Sequence, residues 1–226
     1  MSNSQNKIEV FIRRKYRTVF RKFLSKKDIA LLKDTDIVII SNNCWGGALY
    51  QWLERPYNSP FIGLGIKGDC YLKIVSNLDY YMSQPLTFKT ESKYPDRKIT
   101  YPLGIIDDVE IHFTHYKTEE EATKKWNRRT SRILEENNRD NFFFKICDSW
   151  DVDKEMMEKF HQLPHKNKIS FSIHDYSDLE LKNHFKINQR DKKNKNSIPN
   201  GVKLFKLSFL YTDIIYWLKN KKAQSA

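Results

Sequence analysis

The sequence contains few cysteines and no long apolar run. Its 226 residues include three cysteines, an odd number, and none of them stands in a CxxC pair. A disulfide framework and a structural zinc site of paired cysteines are therefore disfavoured, and a reducing cytoplasm is the expected environment. No window approaches the roughly 18 apolar residues of a membrane-spanning helix. The N-terminal residues, MSNSQNK, are polar and lack the apolar segment of a secretory signal.

Aromatic residues and positive charge, in contrast, are abundant. Hydrophobic residues make up 39% of the chain and aromatic residues 14%, so a real core can be buried. The formal net charge of +12 favours anionic partners such as nucleic acid, acidic lipid headgroups or phosphorylated substrates. Because the basic residues are spread widely and no recognised DNA- or RNA-binding motif occurs, we do not expect specific nucleic-acid binding.

Alternating strand and helix patterns predict a parallel sheet. Runs rich in β-branched and aromatic residues predict strands at 36–41, 59–66, 104–115, 141–147 and 168–174. Helices are predicted at 48–53, 69–82, 118–134, 151–162 and 213–218, with Thr118 and Asp151 as N-caps. Strand–helix–strand alternation is typical of βαβ units. Because no repeat or convincing linker occurs, we predict a single α/β domain over residues 1–226.

Two segments differ in character from the rest. Residues 7–27 predict a basic amphipathic helix, with apolar side chains at helical spacing and arginine or lysine between them. Such a helix either packs on the domain with a solvated basic face or rests on an anionic membrane surface. Residues 187–202 are polar, basic and rich in turn-forming residues, which predicts a mobile loop.

The loop that follows the first predicted strand is the strongest candidate for a ligand site. Ligands bind open α/β sheets beyond the carboxyl ends of strands, where a helix N-terminus suits a phosphate. Amide side chains can bond a sugar or phosphate, a tryptophan can stack on it, and glycines allow close approach. The alternative is a turn anchored by a buried tryptophan. The candidate binding residues are Asn42, Asn43, Trp45, Gly46 and Gly47.

Cys44 lies in the same loop, near the start of the predicted helix. A thiol at a helix N-terminus has a lowered pKa, which suits a nucleophile. Cysteine is also commonly a small buried hydrophobe. Both interpretations of Cys44 stay open at the level of sequence.

Glu110 and His112 form the main acid–base candidate. They are two residues apart on a predicted strand and therefore project from one face. A carboxylate that orients an imidazole is a common general-base device. The pair would also suit a metal, although no third ligand is evident, or could be a hydrogen-bonded pair within the sheet.

Two further motifs could contact a phosphate. Arg128 and Arg129 lie on the helix predicted after residue 118, and arginine suits bidentate phosphate recognition. The alternative is a solvated basic face. Asp151 and Asp153 match the DxD pattern with which many glycosyltransferases hold a metal–diphosphate, but a three-residue match is weak and Asp151 suits a helix cap.

Several motifs in order resemble a known bacterial family. They are residues 39–47 (IISNNCWGG), 59–64 (SPFIGL), 101–104 (YPLG), 109–113 (VEIHF), 115–122 (HYKTEEEA), 125–129 (KWNRR), 163–168 (LPHKNK) and 214–218 (IIYWL). Together they resemble a domain-of-unknown-function family whose members are often called exopolysaccharide or capsular polysaccharide biosynthesis proteins. The resemblance covers the chain from the basic helix to Trp217. It implies a three-layer α/β/α, Rossmann-like fold and a place in surface-polysaccharide assembly, but no particular reaction.

Two functional hypotheses follow. The first is a transferase of exopolysaccharide or capsule biosynthesis that binds a phosphate-containing donor, such as a nucleotide sugar, at loop 42–47. Arg128 or Arg129 would offset the phosphate charge and His112 would act as base, while a need for a divalent metal stays open. The second is a non-catalytic assembly protein that docks on enzyme partners or on an anionic membrane. We expect a cytoplasmic protein, peripheral at the inner face of the membrane if it docks there.

Overall fold

The computed structural model describes residues 19–94, 98–192 and 194–223. The strands among these residues are β1 (Val38–Ser41), β2 (Thr87–Lys89), β3 (Leu103–Ile106), β4 (Val109–His112), β5 (Phe142–Cys147), β6 (Lys168–Ser172) and β7 (His184–Lys186). The α-helices are α1 (Arg21–Leu31), α2 (Trp45–Trp52), α3 (Gly68–Ser76), α4 (Leu78–Ser83), α5 (Glu119–Glu135), α6 (Lys154–Gln162), α7 (Gly201–Ser208) and α8 (Ile214–Asn220). Within these residues, no helix combines the length and the apolar character that crossing a membrane would require.

The main sheet is parallel throughout. Its strand order is β1-β5-β6-β7, with Ile39 opposite Phe143 and Phe171 opposite Phe185. Strands β1 and β5 are buried along their whole length, as expected for parallel strands covered on both faces. The predicted mainly parallel sheet is therefore confirmed. Because the strands run in one direction, the loops after β1, β5 and β6 meet at a single carboxyl edge.

Helices cover both faces of this sheet. Side chains that alternate along β1 and β5 divide between two apolar clusters, with Ile40 and Phe144 in one and Ile39 and Phe143 in the other. The first cluster includes residues of α3, α4, α5 and α6, and the second includes residues of α2, α7 and α8. The side-chain period of two along a strand places the core on both sides of the sheet.

The predicted strand at 104–115 is wrong as a single strand, because the chain turns in its middle. Leu103–Ile106 and Val109–His112 pair as an antiparallel hairpin, joined by Asp107 and Asp108. Asp107 has a φ of 52°, a left-handed conformation that aspartate tolerates better than most residues. With β2 the hairpin forms a second, antiparallel sheet. The two acidic residues were the local signal for this turn.

The predicted strand at 59–66 is also wrong. This segment is irregular, and Gly65 makes one isolated antiparallel bridge to His112. Gly63 has a φ of 74°, and a Cβ at Gly65 would lie within 1.8 Å of the Trp150 ring. The amide of Ile66 donates to the Asn42 carbonyl over 3.0 Å, so the segment links the end of β1 to the small sheet.

Two predicted helices differ from the structure. The segment predicted as one helix at 69–82 is divided between α3 and α4 at Asn77. Helix α6 begins later than predicted: Asp153, rather than Asp151, caps it by accepting the Met156 amide over 2.8 Å. Asp151 instead has a φ of 59° and forms an ion pair with the buried amine of Lys67.

The capping box predicted at α5 is confirmed. The Thr118 hydroxyl accepts a hydrogen bond from the Glu121 amide over 3.1 Å. The Glu121 carboxylate reaches back and accepts the Lys117 amide over 3.0 Å. Satisfying free amides at the first turn fixes where α5 begins, and this in turn positions the arginines further along the helix.

The chain ends were predicted in part. Residues 7–18 of the predicted basic helix lie outside the described residues, and the described part is helical to Leu31, beyond the predicted end at 27. Strand β7 was not predicted. In the described part of 187–202, no helix or strand occurs before α7 begins at Gly201. The mobility of this loop stays a prediction.

Candidate functional site

The candidate site lies at the carboxyl edge of the parallel sheet. The loop after β1 and the loop after β5 are joined there by Asn42, whose Nδ2 donates to the Cys147 carbonyl over 3.0 Å and to the Ser149 carbonyl over 3.3 Å. The next two residues, Trp150 and Asp151, both have positive φ, at 64° and 59°. Consecutive non-glycine residues in this conformation are strained, and such strain concentrates at functional sites.

Asn43 organises the start of α2. Its Oδ1 accepts the Trp45 amide over 3.1 Å and also accepts Lys145 Nζ over 3.1 Å. Its Nδ2 lies 3.1 Å from Cys147 Sγ and 3.2 Å from Ser149 Oγ. Asn43 is 4% exposed and Asn42 is fully buried, so both amide groups bond within the protein and hold the loop in shape.

Trp45 and the two glycines after it have different environments. The Trp45 ring is fully buried and packs edge-on against Phe205, with ring centroids 5.6 Å apart. This geometry favours the alternative of a buried anchor over stacking on a ligand. A Cβ on Gly46 would lie 2.8 Å from Ile39, so Gly46 allows α2 to pack closely on the sheet. Gly47 has more room and lines a cavity.

That cavity has a volume of about 300 Å³ and opens beside the first turn of α2. Three of the residues predicted for the site line it: Cys44 in the loop between β1 and α2, Gly47 on α2 and Arg129 on α5. Basic and aromatic side chains complete its wall. The lining includes Cys44, Gly47, Tyr57, His115, Lys125 and Arg129.

Arg129 is the buried cation of this cavity. Arg129 is only 4% exposed, and its Nη1 donates to the Tyr116 hydroxyl over 2.8 Å. The guanidinium carbon lies 5.2 Å from the centroid of the Tyr57 ring. In the described structure Nε is buried without a hydrogen-bond partner. Because a buried charge without an oppositely charged partner is costly, an anion bound in the cavity would stabilise this arrangement.

The two predicted arginines have different surroundings. Arg128 is exposed, whereas Arg129 is buried and lines the cavity. Lys125, one turn earlier on α5, lies 5.3 Å from the Tyr116 ring centroid and is paired with Glu121 at 2.5 Å. The structure therefore places Arg129, and not Arg128, among the residues of the candidate site.

Cys44 is partly exposed and lines the same cavity. Its Sγ lies 3.7 Å from the Leu64 carbonyl oxygen. Burial raises the pKa of the Cys44 thiol, and this effect outweighs the opposing influence of Thr114 and Lys145. Burial, rather than the helix N-terminus, therefore dominates the pKa of this thiol. A cysteine with a raised pKa is a weaker candidate for the nucleophile.

Glu110 and His112 do project from one face of β4, as predicted. Glu110 Oε2 lies 3.8 Å from His112 Nε2, and both side chains are buried. Glu110 also accepts the Lys93 amide and the Ser92 hydroxyl, each over 2.7 Å. The pair is thus part of a polar network under the small sheet, and neither residue lines the cavity beside Arg129.

A second carboxylate–imidazole pair, which the sequence did not predict, lies at the carboxyl edge. Asp148 directly follows β5, and its Oδ2 accepts the Ile173 amide over 2.7 Å and lies 3.1 Å from His174 Nδ1. The Asp148 side chain has no exposure, and burial raises the pKa of its carboxyl group. The His174 side chain is 57% exposed. The available signal was position: each residue falls at the carboxyl end of a predicted strand.

In the parts of the chain that the structure describes, no group of three or more histidine, cysteine, aspartate or glutamate residues is placed to hold a metal ion. Of the DxD pair, Asp153 caps α6 and Asp151 pairs with Lys67.

Comparison with known proteins places the chain in a sequence family. Residues 15–219 match the family model described as "Domain of unknown function (DUF1919)". A protein of Haemophilus influenzae described as "Uncharacterized protein" is 36% identical over 174 residues. The aligned part covers 77% of this chain and 78% of the relative.

Proposed function

This chain belongs to the DUF1919 family, and we propose that it binds a phosphate-bearing sugar in the cavity beside Arg129. The proposed role is that of a transferase in exopolysaccharide or capsule biosynthesis, with a nucleotide sugar or sugar phosphate as donor. The resemblance noted in the sequence supports the pathway, and the site geometry supports the class of ligand. A cavity of about 300 Å³ is large enough for a sugar phosphate.

The observation that carries this proposal is the buried guanidinium of Arg129. Burying an arginine is costly unless it is paired. Its partners in the structure are a tyrosine hydroxyl and an aromatic face rather than a carboxylate. A phosphate oxygen at the cavity wall would supply the missing negative charge. Lys125 and His115 add positive or donor groups on the same wall.

The start of α2 supports the same ligand class. Cys44 and Gly47 bring the first turn of this eight-residue helix to the cavity. Helix N-termini carry a partial positive charge and favour phosphate. Asn43 fixes the loop by accepting the Trp45 amide, and Gly47 has no side chain to fill the cavity.

The proton transfers of the proposed reaction have two candidate bases. His112 with Glu110, as predicted from sequence, is buried in the small sheet. His174 with Asp148 is partly exposed at the carboxyl edge and can meet a sugar hydroxyl without opening the core. Neither histidine lines the cavity, and His174 is the more accessible of the two. The single-domain, three-layer Rossmann-like organisation and the cytoplasmic location belong to the same proposal.

The proposal is tested by a ligand panel on matched arginine variants. The panel contains inorganic phosphate, sugar 1-phosphates, nucleoside diphosphates and nucleotide sugars, each with and without Mg²⁺, and the readout is the thermal unfolding midpoint. A ligand at about a hundred times its Kd stabilises the protein by about 2.7 kcal/mol. We expect a phosphate-bearing sugar to stabilise the wild type and Arg128→Gln, and to lose its effect in Arg129→Gln. Equal responses in the two variants would contradict the proposal.

A second candidate function is docking of α1 on an anionic membrane surface. The observation that favours it is a set of exposed apolar side chains beside lysines: Val19 is 71% and Phe23 67% exposed. Lys22, Lys26 and Lys27 are exposed on the same segment. Apolar side chains that enter the headgroup region, flanked by basic residues, are typical of interfacial helices.

Membrane docking is tested by sedimentation with vesicles. We expect binding to vesicles that contain phosphatidylglycerol and little binding to pure phosphatidylcholine, with loss of binding in Phe23→Ser. Leu134 on α5 is also exposed, at 41%, and Leu134→Ser provides a control with a similar loss of apolar surface. If the two variants bind equally, α1 is not the docking surface.

A further inference from the structure

A fully buried lysine lies under the loop that opens α2. Lys145 is on β5, and its Nζ donates to Asn42 Oδ1 over 3.2 Å, to Asn43 Oδ1 over 3.1 Å and to Cys147 Sγ over 2.9 Å. These acceptors are two amide oxygens and a sulfur. A buried ammonium without a carboxylate partner is unfavourable, and burial accordingly lowers the pKa of Lys145.

The sulfur of Cys147 is held from several sides. Besides Lys145 Nζ, Asn43 Nδ2 and Ser149 Oγ each lie 3.1 Å from Cys147 Sγ. Cys147 has no exposed surface, but Ser149 is partly exposed. The sulfur thus contacts a side chain that itself reaches solvent, and Ser149 marks the side from which we expect hydrogen peroxide to approach. The amine and the sulfur are in contact before any chemistry occurs.

We propose that Lys145 and Cys147 form an oxidative modification site, at which hydrogen peroxide converts the amine–thiol pair to a covalent sulfenamide. The proposal is independent of the ligand in the cavity beside Arg129. It rests on the contact between Nζ and Sγ and on the position of Ser149. A neutral amine has the free lone pair that a nucleophile needs, and the buried site favours that form.

The chemistry proceeds in two balanced steps. In the first, the sulfur attacks peroxide, the O–O bond breaks, and the thiol becomes a sulfenic acid while peroxide is reduced to water. In the second, the lone pair of Nζ attacks the sulfur and forms an S–N bond. The sulfenic hydroxyl leaves with a proton from the amine as a second water. Added thiol reverses the link in two steps. One thiol attacks the Cys147 sulfur, which frees the Lys145 amine and forms a mixed disulfide. A second thiol then attacks the mixed disulfide, which releases the Cys147 thiol and leaves the two added thiols joined as a disulfide.

Crosslinking would change the loop above it. Lys145 in the reduced protein donates to both Asn42 and Asn43, and Asn43 in turn accepts the Trp45 amide at the start of α2. Once Nζ is bonded to sulfur, it has at most one hydrogen left to donate and carries no positive charge. We therefore expect the hydrogen bonds that hold the loop to weaken, which would link oxidation to the shape of the carboxyl edge.

The test is peptide mass spectrometry of the folded, full-length protein after peroxide treatment. Free thiols are alkylated in denaturant before digestion with trypsin. The expected product is a peptide that spans uncleaved Lys145 and unalkylated Cys147, lighter than the reduced form by two hydrogens. Trypsin cannot cleave after a lysine whose amine is bonded to sulfur. Treatment with dithiothreitol before alkylation should restore both cleavage and alkylation.

Cys70 provides the control cysteine within the same protein. It is equally buried, but its sulfur contacts the Tyr94 hydroxyl and the Glu110 amide, each over 3.3 Å, instead of an amine. We expect Cys70 to remain alkylatable at peroxide doses that convert most of Cys147. Cys147 that stays reduced, or that carries added oxygen without a link to Lys145, would overturn the proposal.

A variant separates the two steps. In Lys145→Met the amine is absent, so the sulfenic acid of Cys147 should persist and react with dimedone several-fold more than in the wild type. Circular dichroism and the thermal midpoint establish that the variant is folded. Equal dimedone labelling of Cys147 in both proteins would show that the amine does not capture the sulfur. The wild-type peptide result decides the proposal if the variant is unstable.

Discussion

Arg129 donates a hydrogen bond from Nη1 to the Tyr116 hydroxyl over 2.8 Å, and that hydroxyl donates to the Ile62 carbonyl over 2.7 Å. The two residues lie on different elements, since Arg129 is on α5 and Tyr116 follows the β-hairpin. The chain of bonds fixes the guanidinium at the wall of the cavity. Placement of a buried cation by a neutral partner leaves its charge available to a ligand.

Tyr116→Phe tests this placement. The substitution removes the hydroxyl and leaves the ring, so both Nη1 and the Ile62 carbonyl lose their partner. We expect a loss of about 1–3 kcal/mol in the free energy of unfolding, because the lost bonds include one to a charged group. Urea denaturation followed by tryptophan fluorescence measures it. Tyr57→Phe, in which the ring that faces Arg129 is kept, is the control and should lose less.

Gly46 and Gly47 form a matched pair on α2. A Cβ at Gly46 would lie 2.8 Å from Ile39 on the sheet, whereas at Gly47 it would meet Ile62 at an ordinary 3.4 Å. Overpacking costs about 1–3 kcal/mol, while alanine in a helix is favoured over glycine by about 1 kcal/mol. We therefore expect Gly46→Ala to lower the thermal midpoint and Gly47→Ala to keep or raise it. The opposite order would show that α2 packs differently.

Acid should destabilise the protein through two histidines near β6. His161 Nε2 and His184 Nδ1 bond the same Ser170 hydroxyl, over 2.7 and 2.8 Å. Burial lowers the pKa of each histidine to about 4 from its ordinary value of 6.5, and for His161 the neighbouring His184 and Lys168 lower it further. Between about pH 4 and pH 6.5, these two histidines are therefore protonated in the unfolded chain but largely neutral in the folded protein.

The sign of this effect follows from the depressed pKa values. The stabilising contribution of the neutral rings is present above pH 6.5 and is lost as pH falls from there to about 4. Each ring contributes up to about 3 kcal/mol over this window. Urea unfolding at a series of pH values measures the loss. His161→Gln should flatten the dependence, and a flat wild-type profile would exclude the effect.

The Asp148–His174 pair should matter to chemistry more than to folding. Asp148 Oδ2 is held by the Ile173 amide over 2.7 Å, and it fixes the His174 ring, which is partly exposed. Once a substrate is identified, we expect His174→Gln to lower kcat by about 10²- to 10⁴-fold, the usual range for a general base. His165→Gln, which replaces a histidine outside the cavity, is the control. Full turnover by His174→Gln would remove the proposed base.

The sequence predicted the parts of the fold that depend on local patterns. The β-branched run before Asn42 and the phenylalanine run of β5 are strands, as predicted, because burial on both faces requires continuous apolar residues. The apolar segment at 59–66 has a similar composition but is irregular. It is buried by tertiary contacts around Gly63 and Gly65, and periodicity alone cannot separate this case from a strand.

The candidate site was predictable only in part, for a similar reason. The loop after β1 was found because its position after a strand is a local property. The contact of Arg129 with Tyr116 and that of Asp148 with His174 join residues 13 and 26 positions apart. Such pairs depend on the order of strands and on helix packing. The split between a buried Arg129 and an exposed Arg128 likewise follows from how α5 lies on the core.

The central claim is that a phosphate-bearing sugar occupies the cavity beside Arg129, and Cys44 in its wall provides the most direct test. Cys44 is the most accessible of the three cysteines, so the rate of its alkylation by iodoacetamide can be followed by peptide mass spectrometry with and without a saturating sugar phosphate. We predict that the ligand slows alkylation of Cys44 at least several-fold in the wild type and in Arg128→Gln, but not in Arg129→Gln. An unchanged rate in the wild type, with binding shown independently, would place the ligand elsewhere and contradict the claim.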